Sequence, residues 1–250
     1  MDNKKPPCFS ESSHALLFAL IARQVITTYG EQKGLFALRK ATRSYGEQRG
    51  RRMALRARAN GDELTMTNFL VYGEWRSVTD SGQQERIEEQ ADLRMLVQRC
   101  PWDEAWKEAH LLPFGRYYCQ EIDAALLRGF NPDLLIEVNQ TLSNDGLPCE
   151  FVYRQALLEP GKTLSYIHDK AALLEPQRLM PWEYHCGHLF QACSLVMGEE
   201  FGPPGRVTVQ NALAEFALRY GGAAAGTVAG YLKTDFDRLP GQDTRVGQFL

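Results

Sequence analysis

The residue types that could do chemistry in this chain are densest between Arg116 and Cys149. Cys119 and Asp123 are spaced i,i+4, which on a helix puts both side chains on one face, a turn apart. Arg116, one turn earlier, joins that face. A cation beside a thiol lowers its pKa and raises the fraction of thiolate, the reactive form. Asp123 on a half-buried face needs a partner, and it suits the role of orienter or general base. Cys149 opens a later strand and reaches the same face if that strand packs beside the helix. For Cys119 and Cys149 alike, the bland reading is a small buried hydrophobe.

His185 and His188 lie three residues apart in Trp182-Glu-Tyr-His-Cys-Gly-His188. Sharing a helical face, they suit either a pair of metal ligands or a general base with a helper, and equally a structural pair. The compact zinc spacings His-Glu-x-x-His and Cys-x-x-Cys are absent, so no metal site is expected, although a zinc site drawn from Cys119, Cys149 and a histidine is the competing arrangement. Phosphate-loop, dinucleotide-glycine and Gly-x-Ser-x-Gly patterns are also missing, and no cofactor is implied.

The elements that must position these residues follow from periodicity. His14 to Thr28 carries Leu16, Leu17, Leu20, Ile21 and Val25 at helical spacing, and Gly30 ends it. A long helix runs from Glu31 to Ala59, closed by Asn60-Gly61, with Gly46 and Gly50 as candidate kinks. Tyr29-Gly-Glu-Gln-Lys-Gly34 is echoed in Tyr45-Gly-Glu-Gln-Arg-Gly50. Close helix packing and accident are both open explanations. Residues 63–78 are β-favouring, 83–90 read as a polar helix, and 92–100 alternate as a half-buried strand ended by Pro101. Pro101-Trp102 opens a helix with acids in its first turn, and 115–128 reads as a further helix. Residues 136–142 and 149–158 form a hairpin around Asn144-Asp-Gly146. The last third is helical over 182–198, 207–220 and 223–238.

The expectation is an α+β class, a small antiparallel sheet packed with N-terminal and C-terminal helices in a single domain. Residues 1–13 read as a polar leader and 14–250 as the domain, divided into helices at 14–60, a mixed region at 62–160 and helices at 181–238. With 250 residues and 44% hydrophobic content the chain can bury a real core. Its 28 basic and 31 acidic residues leave a net charge of -3 and no field for nucleic acid. Arg49, Arg51, Arg52, Arg56 and Arg58 cluster in the long helix and read as a solvated face or subunit contact rather than a phosphate site. No stretch is long and apolar enough to span a membrane, and no signal core is evident, so the expected location is the cytoplasm. The six cysteines are too sparse for a secreted disulfide framework.

Arg99-Cys-Pro-Trp102, Phe114-Gly-Arg-Tyr-Tyr-Cys-Gln-Glu-Ile-Asp123, Gly129-Phe-Asn-Pro132 and Asp145-Gly-Leu-Pro-Cys-Glu-Phe151 together resemble the signature region of the L-2-amino-thiazoline-4-carboxylic acid hydrolase family. Tyr45-Gly-Glu-Gln-Arg-Gly-Arg-Arg-Met-Ala54 and Tyr184-His-Cys-Gly-His-Leu-Phe190 extend the likeness over most of residues 15–235. The resemblance implies a hydrolase that opens a small ring at a carbon–nitrogen double bond, with a small heterocyclic carboxylate as substrate. Chemistry applied to the matching positions makes Cys119 the nucleophile, Asp123 the orienter or base, His185 the acid/base and Arg116 the carboxylate anchor. Arg154 replaces Arg116 if the latter pairs with Asp123, while Cys149 and His188 complete the substrate side. The competing readings are a metal- or small-ligand-binding sensory module without turnover, and a structural subunit. A homo-oligomer is compatible with either.

Overall fold

The computed structural model describes residues 9–78, 83–89, 91–157 and 160–241. The elements run α1 (Glu11–Tyr29), α2 (Glu31–Ala59), α3 (Met66–Val71), β1 (Gln83–Glu89), β2 (Leu93–Arg99), α4 (Pro101–Glu108), α5 (Leu112–Gly115), α6 (Ile122–Phe130), β3 (Ile136–Gln140), α7 (Leu142–Asp145), β4 (Cys149–Tyr153), α8 (Pro160–Leu173), α9 (Glu175–Arg178), α10 (Trp182–Phe201), α11 (Pro203–Tyr220) and α12 (Gly222–Gly230). The fold is α+β: a four-stranded antiparallel sheet, ordered β1-β2-β4-β3, sits among helices from both ends of the chain.

Helix α1 begins inside the stretch read as a polar leader. Ser10 and Ser13 form a reciprocal capping box there, which satisfies two of the orphan amides of the first turn. Glu11, Ser13 and His14 are consequently buried rather than solvated. Gly30, at φ 80°, makes the corner into α2, a conformation that a side chain would strain.

The glycines of the second Tyr-Gly-Glu-Gln copy are explained by close packing. A Cβ on Gly50 would stand 2.1 Å from the Leu126 carbonyl oxygen, and one on Gly46 would stand 2.8 Å from Ala125 Cβ. Gly129 answers from α6, where a Cβ would meet the Glu47 carbonyl oxygen at 2.2 Å. Helices α2 and α6 therefore touch backbone to backbone, and this contact carries Asp123 toward the middle of α2.

Several stretches depart from the local pattern. Residues 66–71 are helical, not extended, because Thr65 caps the Asn68 amide and Met66 and Phe69 turn inward, Phe69 onto Phe130. The polar run 83–89 is strand β1, recruited by the open edge of β2, and Gln90 lies outside the described residues. Residues 116–121 are turns between α5 and α6, so Cys119 and Asp123 do not share one helix. Two tertiary anchors hold that segment: Tyr117 donates to Glu31, and Tyr118 packs against Phe18 and Tyr45. Beyond Gly230 the chain leaves α12 for a 3-10 turn over Tyr231–Lys233, and Gln191 donates to the carbonyls of Tyr231, Leu232 and Thr234.

The hairpin expected around Asn144-Asp-Gly146 forms as β3 and β4, with the one-turn α7 between them and Gly146 left-handed at φ 67°. Direct pairing places Leu93, Met95 and Val97 of β2, Cys149, Phe151 and Tyr153 of β4, and Ile136 and Val138 of β3 on one face. The Leu93 end of that face closes over Met53, Phe69 and Phe130, while the Cys149 end meets the 116–121 turns. Among the described residues no helix is long and apolar enough to cross a membrane.

Candidate functional site

Cys119, Asp123 and Cys149 are brought together, through loop and sheet rather than along one helix. Cys119 lies in the turns before α6, Asp123 in the first turn of α6, and Cys149 at the start of β4. Cys149 Sγ accepts the Leu142 amide at 3.3 Å, and the neighbouring Ser143 hydroxyl bonds Cys119, so α7 ties the two thiols to one turn. Cys100, which precedes α4, adds a third thiol to the cluster. Cys119 also lines a surface pocket of about 320 Å³ with Arg39, Gln120, Val138, Gln140 and Asn144.

The electrostatics differ from those that the spacing suggests. Burial pushes the Cys119 thiol well above its usual value, and the nearby Cys100, Asp123 and Cys149 push the same way, with only Ser143 opposing. Burial also raises Cys149, and raises Cys100 to about 11. All three are thiols at neutral pH. Asp123 is raised by burial to about 6, with Arg49 pulling it back. A carboxylate in that range can accept a proton near neutrality and return it.

Arg116 does not activate Cys119. Its guanidinium lies over the Tyr117 ring at 5.3 Å, and among the described residues its Nε has no hydrogen-bond partner. Arg154 is already engaged at the far end of β4, with Asp92 at 2.6 Å and Glu137 at 2.7 Å. The cation that lines the Cys119 pocket is Arg39, shared with Glu121.

His185 and His188 stand apart from the thiols, buried on α10. His185 Nε2 donates to the Glu74 carbonyl at 3.3 Å, and burial lowers its pKa to about 3, helped by Arg49. His188 bonds Gln48 at 2.7 Å and stacks on Phe236 at 4.1 Å, and it too is held well below the usual imidazole range by burial. Both rings are neutral at pH 7, which removes His185 as a proton donor there.

The group missed by sequence reasoning is the arginine stripe of α2. Arg51 and Arg58 are exposed, but Arg49, Arg52 and Arg56 are buried, so this is not a solvated face. Arg52 grips Glu74 through Nε at 3.0 Å and Nη2 at 2.9 Å, Arg56 adds Nη1 at 2.6 Å, and Arg49 Nε stands 3.5 Å away. Beside them Trp102 Nε1 donates to His14 Nδ1 at 3.2 Å, and His14 Nε2 meets the Tyr45 hydroxyl at 3.0 Å. Trp75, Trp102 and Trp182 pack around this chain with centroids 5.1–5.6 Å apart. The available signal was spacing: Leu38, Thr42, Tyr45, Arg49, Arg52 and Arg56 recur at helical steps along one stripe.

Among the described residues no three His, Cys, Asp or Glu side chains converge as metal ligands. No curated protein and no solved structure matches the chain. A family model described as L-2-amino-thiazoline-4-carboxylic acid hydrolase matches residues 10–153, from the first cap of α1 to the end of β4. That span holds Cys119, Asp123, Cys149, the arginine stripe and Glu74, whereas His185, His188 and Arg154 fall beyond it. Because the match takes in more than half of its residues, the chain belongs to the L-2-amino-thiazoline-4-carboxylic acid hydrolase family.

Proposed function

We propose that this protein hydrolyses a small cyclic amidine or ureide-like ring, water adding at the carbon of its carbon–nitrogen bond, on a carboxylate-bearing substrate of the 2-amino-thiazoline-4-carboxylate type. The observation that carries the reading is Asp123, a carboxyl at about 6, in one cluster with the pocket-lining thiol of Cys119. Burial keeps Cys119 protonated in the resting state, so activation falls to a base and not to a resident cation. Asp123 takes the thiol proton as Cys119 Sγ attacks the amidine carbon. In the 2-amino-thiazoline case the ring carbon–sulfur bond breaks as Asp123 returns the proton to the departing sulfur, leaving both nitrogens on the carbon now bonded to Cys119 Sγ. Water then adds to that carbon and expels Cys119 as its thiol, giving the carbamoyl product with its free thiol. Arg39 takes over the carboxylate-anchoring role that the sequence suggests for Arg116 or Arg154. Cytoplasmic action and a homo-oligomeric state accompany this reading.

Release of free thiol from 2-amino-thiazoline-4-carboxylate, followed with a thiol reagent, tests it. Turnover by the wild type and its loss in both Cys119→Ser and Asp123→Asn are expected. A binding module without turnover is the second reading, favoured by the three protonated thiols. Saturable substrate binding with no ring opening would decide for that module.

A further inference from the structure

Beyond the ring-opening reading, and independently of it, the arginine stripe holds more positive charge than its surroundings balance. Guanidinium groups do not lose their proton in proteins, so Arg49, Arg52 and Arg56 bring three buried cations to the one carboxylate of Glu74. Arg52 takes both oxygens of that carboxylate, and Arg56 reaches one of them through Nη1, at 2.6 Å. Asp123 acts on Arg49, and Asp237, farther out, is taken up by Arg51 and Gln48. Even with Asp123 ionised, three cations meet two carboxylates. Among the described residues Glu74 is the one hydrogen-bond partner of the Arg56 guanidinium. No Arg56 nitrogen is both sealed from solvent and unpartnered, so the N–H groups that it does not give to Glu74 reach water, although the residue is only 6% exposed.

The water that they reach lies in a cavity of about 550 Å³, where the end of α2 meets the Pro176–Met180 segment and the chain at Leu239. That volume is in the range of small-molecule sites. Leu179, Met180 and Leu239 give it half-buried apolar walls, Asn60 and Gln177 add uncharged polar groups, and among the described residues no acidic side chain lines it. The negative end of the α2 dipole, which would repel an anion here, is blunted by capping. The Asn60 amide bonds the Arg56 and Ala57 carbonyls, Asn60 Nδ2 bonds that of Arg56 again, and the Gly61 and Asp62 amides bond those of Arg58 and Ala57. The walls are tied to the stripe itself: the Met180 amide donates to the Glu74 carbonyl at 2.8 Å, and Arg52 Nη1 donates to the Phe236 carbonyl at 2.7 Å. A cavity whose sides are already held loses little freedom on binding.

We propose that this cavity is a second small-molecule site, separate from the Cys119 pocket, and that it takes a singly charged organic carboxylate with a compact apolar body. Arg56 receives the carboxylate through the N–H groups left over from Glu74, and Leu179, Met180 and Leu239 enclose the body. A single negative charge balances the surplus of the stripe, and a dianion exceeds it. Arg39, the cation of the Cys119 pocket, lies on the same helix roughly 25 Å away, at about 1.5 Å per residue. The two sites therefore hold their ligands by different cations.

The test is calorimetric titration of the full chain with cyclohexanecarboxylate at fixed pH and ionic strength, on an Arg39→Met background that removes the cation of the Cys119 pocket. Saturable binding is expected. Cyclohexanecarboxamide, which lacks the charge, acetate, which lacks the ring, and inorganic phosphate, which carries too much charge, should each bind roughly tenfold more weakly or worse. Adding Arg56→Met should abolish the response. Adding Gln177→Glu, a near-isosteric change at an exposed position of the wall, should weaken the carboxylate severalfold and leave the carboxamide unchanged. That second variant decides the matter if the first fails to fold. Turnover enters none of these readouts, so the site stands or falls apart from the ring-opening reading. A chain that does not saturate, that takes the carboxamide or phosphate as well as the carboxylate, or that binds undiminished after Arg56→Met or Gln177→Glu overturns the proposal.

Discussion

Glu74 and Arg52 are joined by a two-pronged ion pair, Nε and Nη2 of the guanidinium on the two carboxylate oxygens at 3.0 and 2.9 Å, with both side chains fully buried. Burial alone would raise the Glu74 carboxyl, yet Arg52, Arg56 and Arg49 together hold it at about 2. This pair fixes the Gly73–Trp75 turn against α2 and, through the Glu74 carbonyl, fixes Met180 and His185 as well. Replacing Glu74 by Gln strands the cations in the interior. A loss of about 3–5 kcal/mol is expected in urea unfolding, and a loss under 1 kcal/mol would show that the stripe does not depend on this carboxylate.

Asp123→Asn separates catalysis from stability. Its carboxyl stands at about 6 in the folded protein against 3.8 for an ordinary aspartate, so ionisation is disfavoured by folding and costs stability above that range. The amide should therefore stabilise the protein at neutral pH by about 1–2 kcal/mol while lowering ring opening roughly a hundredfold or more. Wild-type kcat/KM should fall on the acid side with a midpoint near the Asp123 value of about 6, a limb that the variant should lack.

Cys119 and Cys149 should divide by function. Serine at 119 should reduce thiol release to background with unfolding unchanged, since the residue is half-buried and borders the pocket. Serine at 149, a buried position whose sulfur accepts the Leu142 amide, should act chiefly on stability. The reverse pattern, full turnover in Cys119→Ser and none in Cys149→Ser, would exchange the two roles.

Acid should unfold the protein from below the histidine range downward. His14, His185 and His188 are all held below 6.5, with His185 at about 3, so the unfolded chain binds protons that the folded one refuses. Their contribution is complete above 6.5 and is lost as pH falls toward the folded values. Glu74 adds stability above 4.5 that fades toward about 2. Asp123 acts in the opposite sense, but it is one group against four. Urea midpoints at pH steps through this window should fall monotonically, and Glu74→Gln should flatten the lower part.

The glycines of α2 and α12 should respond with opposite signs. At Gly50 an alanine Cβ would enter the Leu126 carbonyl oxygen, a backbone atom that cannot step aside, so Gly50→Ala should cost about 3 kcal/mol. Gly226 is exposed inside α12 with nothing within 4 Å, so Gly226→Ala should gain about 1 kcal/mol from helix propensity. Thermal melts of the two variants against wild type check both signs at once.

Local rules reached the elements whose causes are local. Helix α1 and its stop at Gly30, the whole span of α2, strand β2, the Pro101 start of α4 and the β3–β4 hairpin all follow from periodicity, caps and turn residues near in the chain. The same segments named Cys119, Asp123 and Cys149. What tertiary structure decided has causes distant in sequence. Thr65 and the inner packing of Phe69 overrode the β preference of 66–71, and the free edge of β2 drew the polar 83–89 into a strand. Tyr117 and Tyr118, anchored on α1 and α2, broke the helix that the 115–128 pattern suggests. Arg49, Arg52 and Arg56 carried a legible spacing, but whether an arginine faces water or the interior depends on where its counter-charge lies. Glu74 supplies that charge from a loop beyond α3, and no window on α2 contains it. The pKa values of Cys119 and Asp123 are likewise set by desolvation, a property of everything packed around a group rather than of its neighbours in the chain.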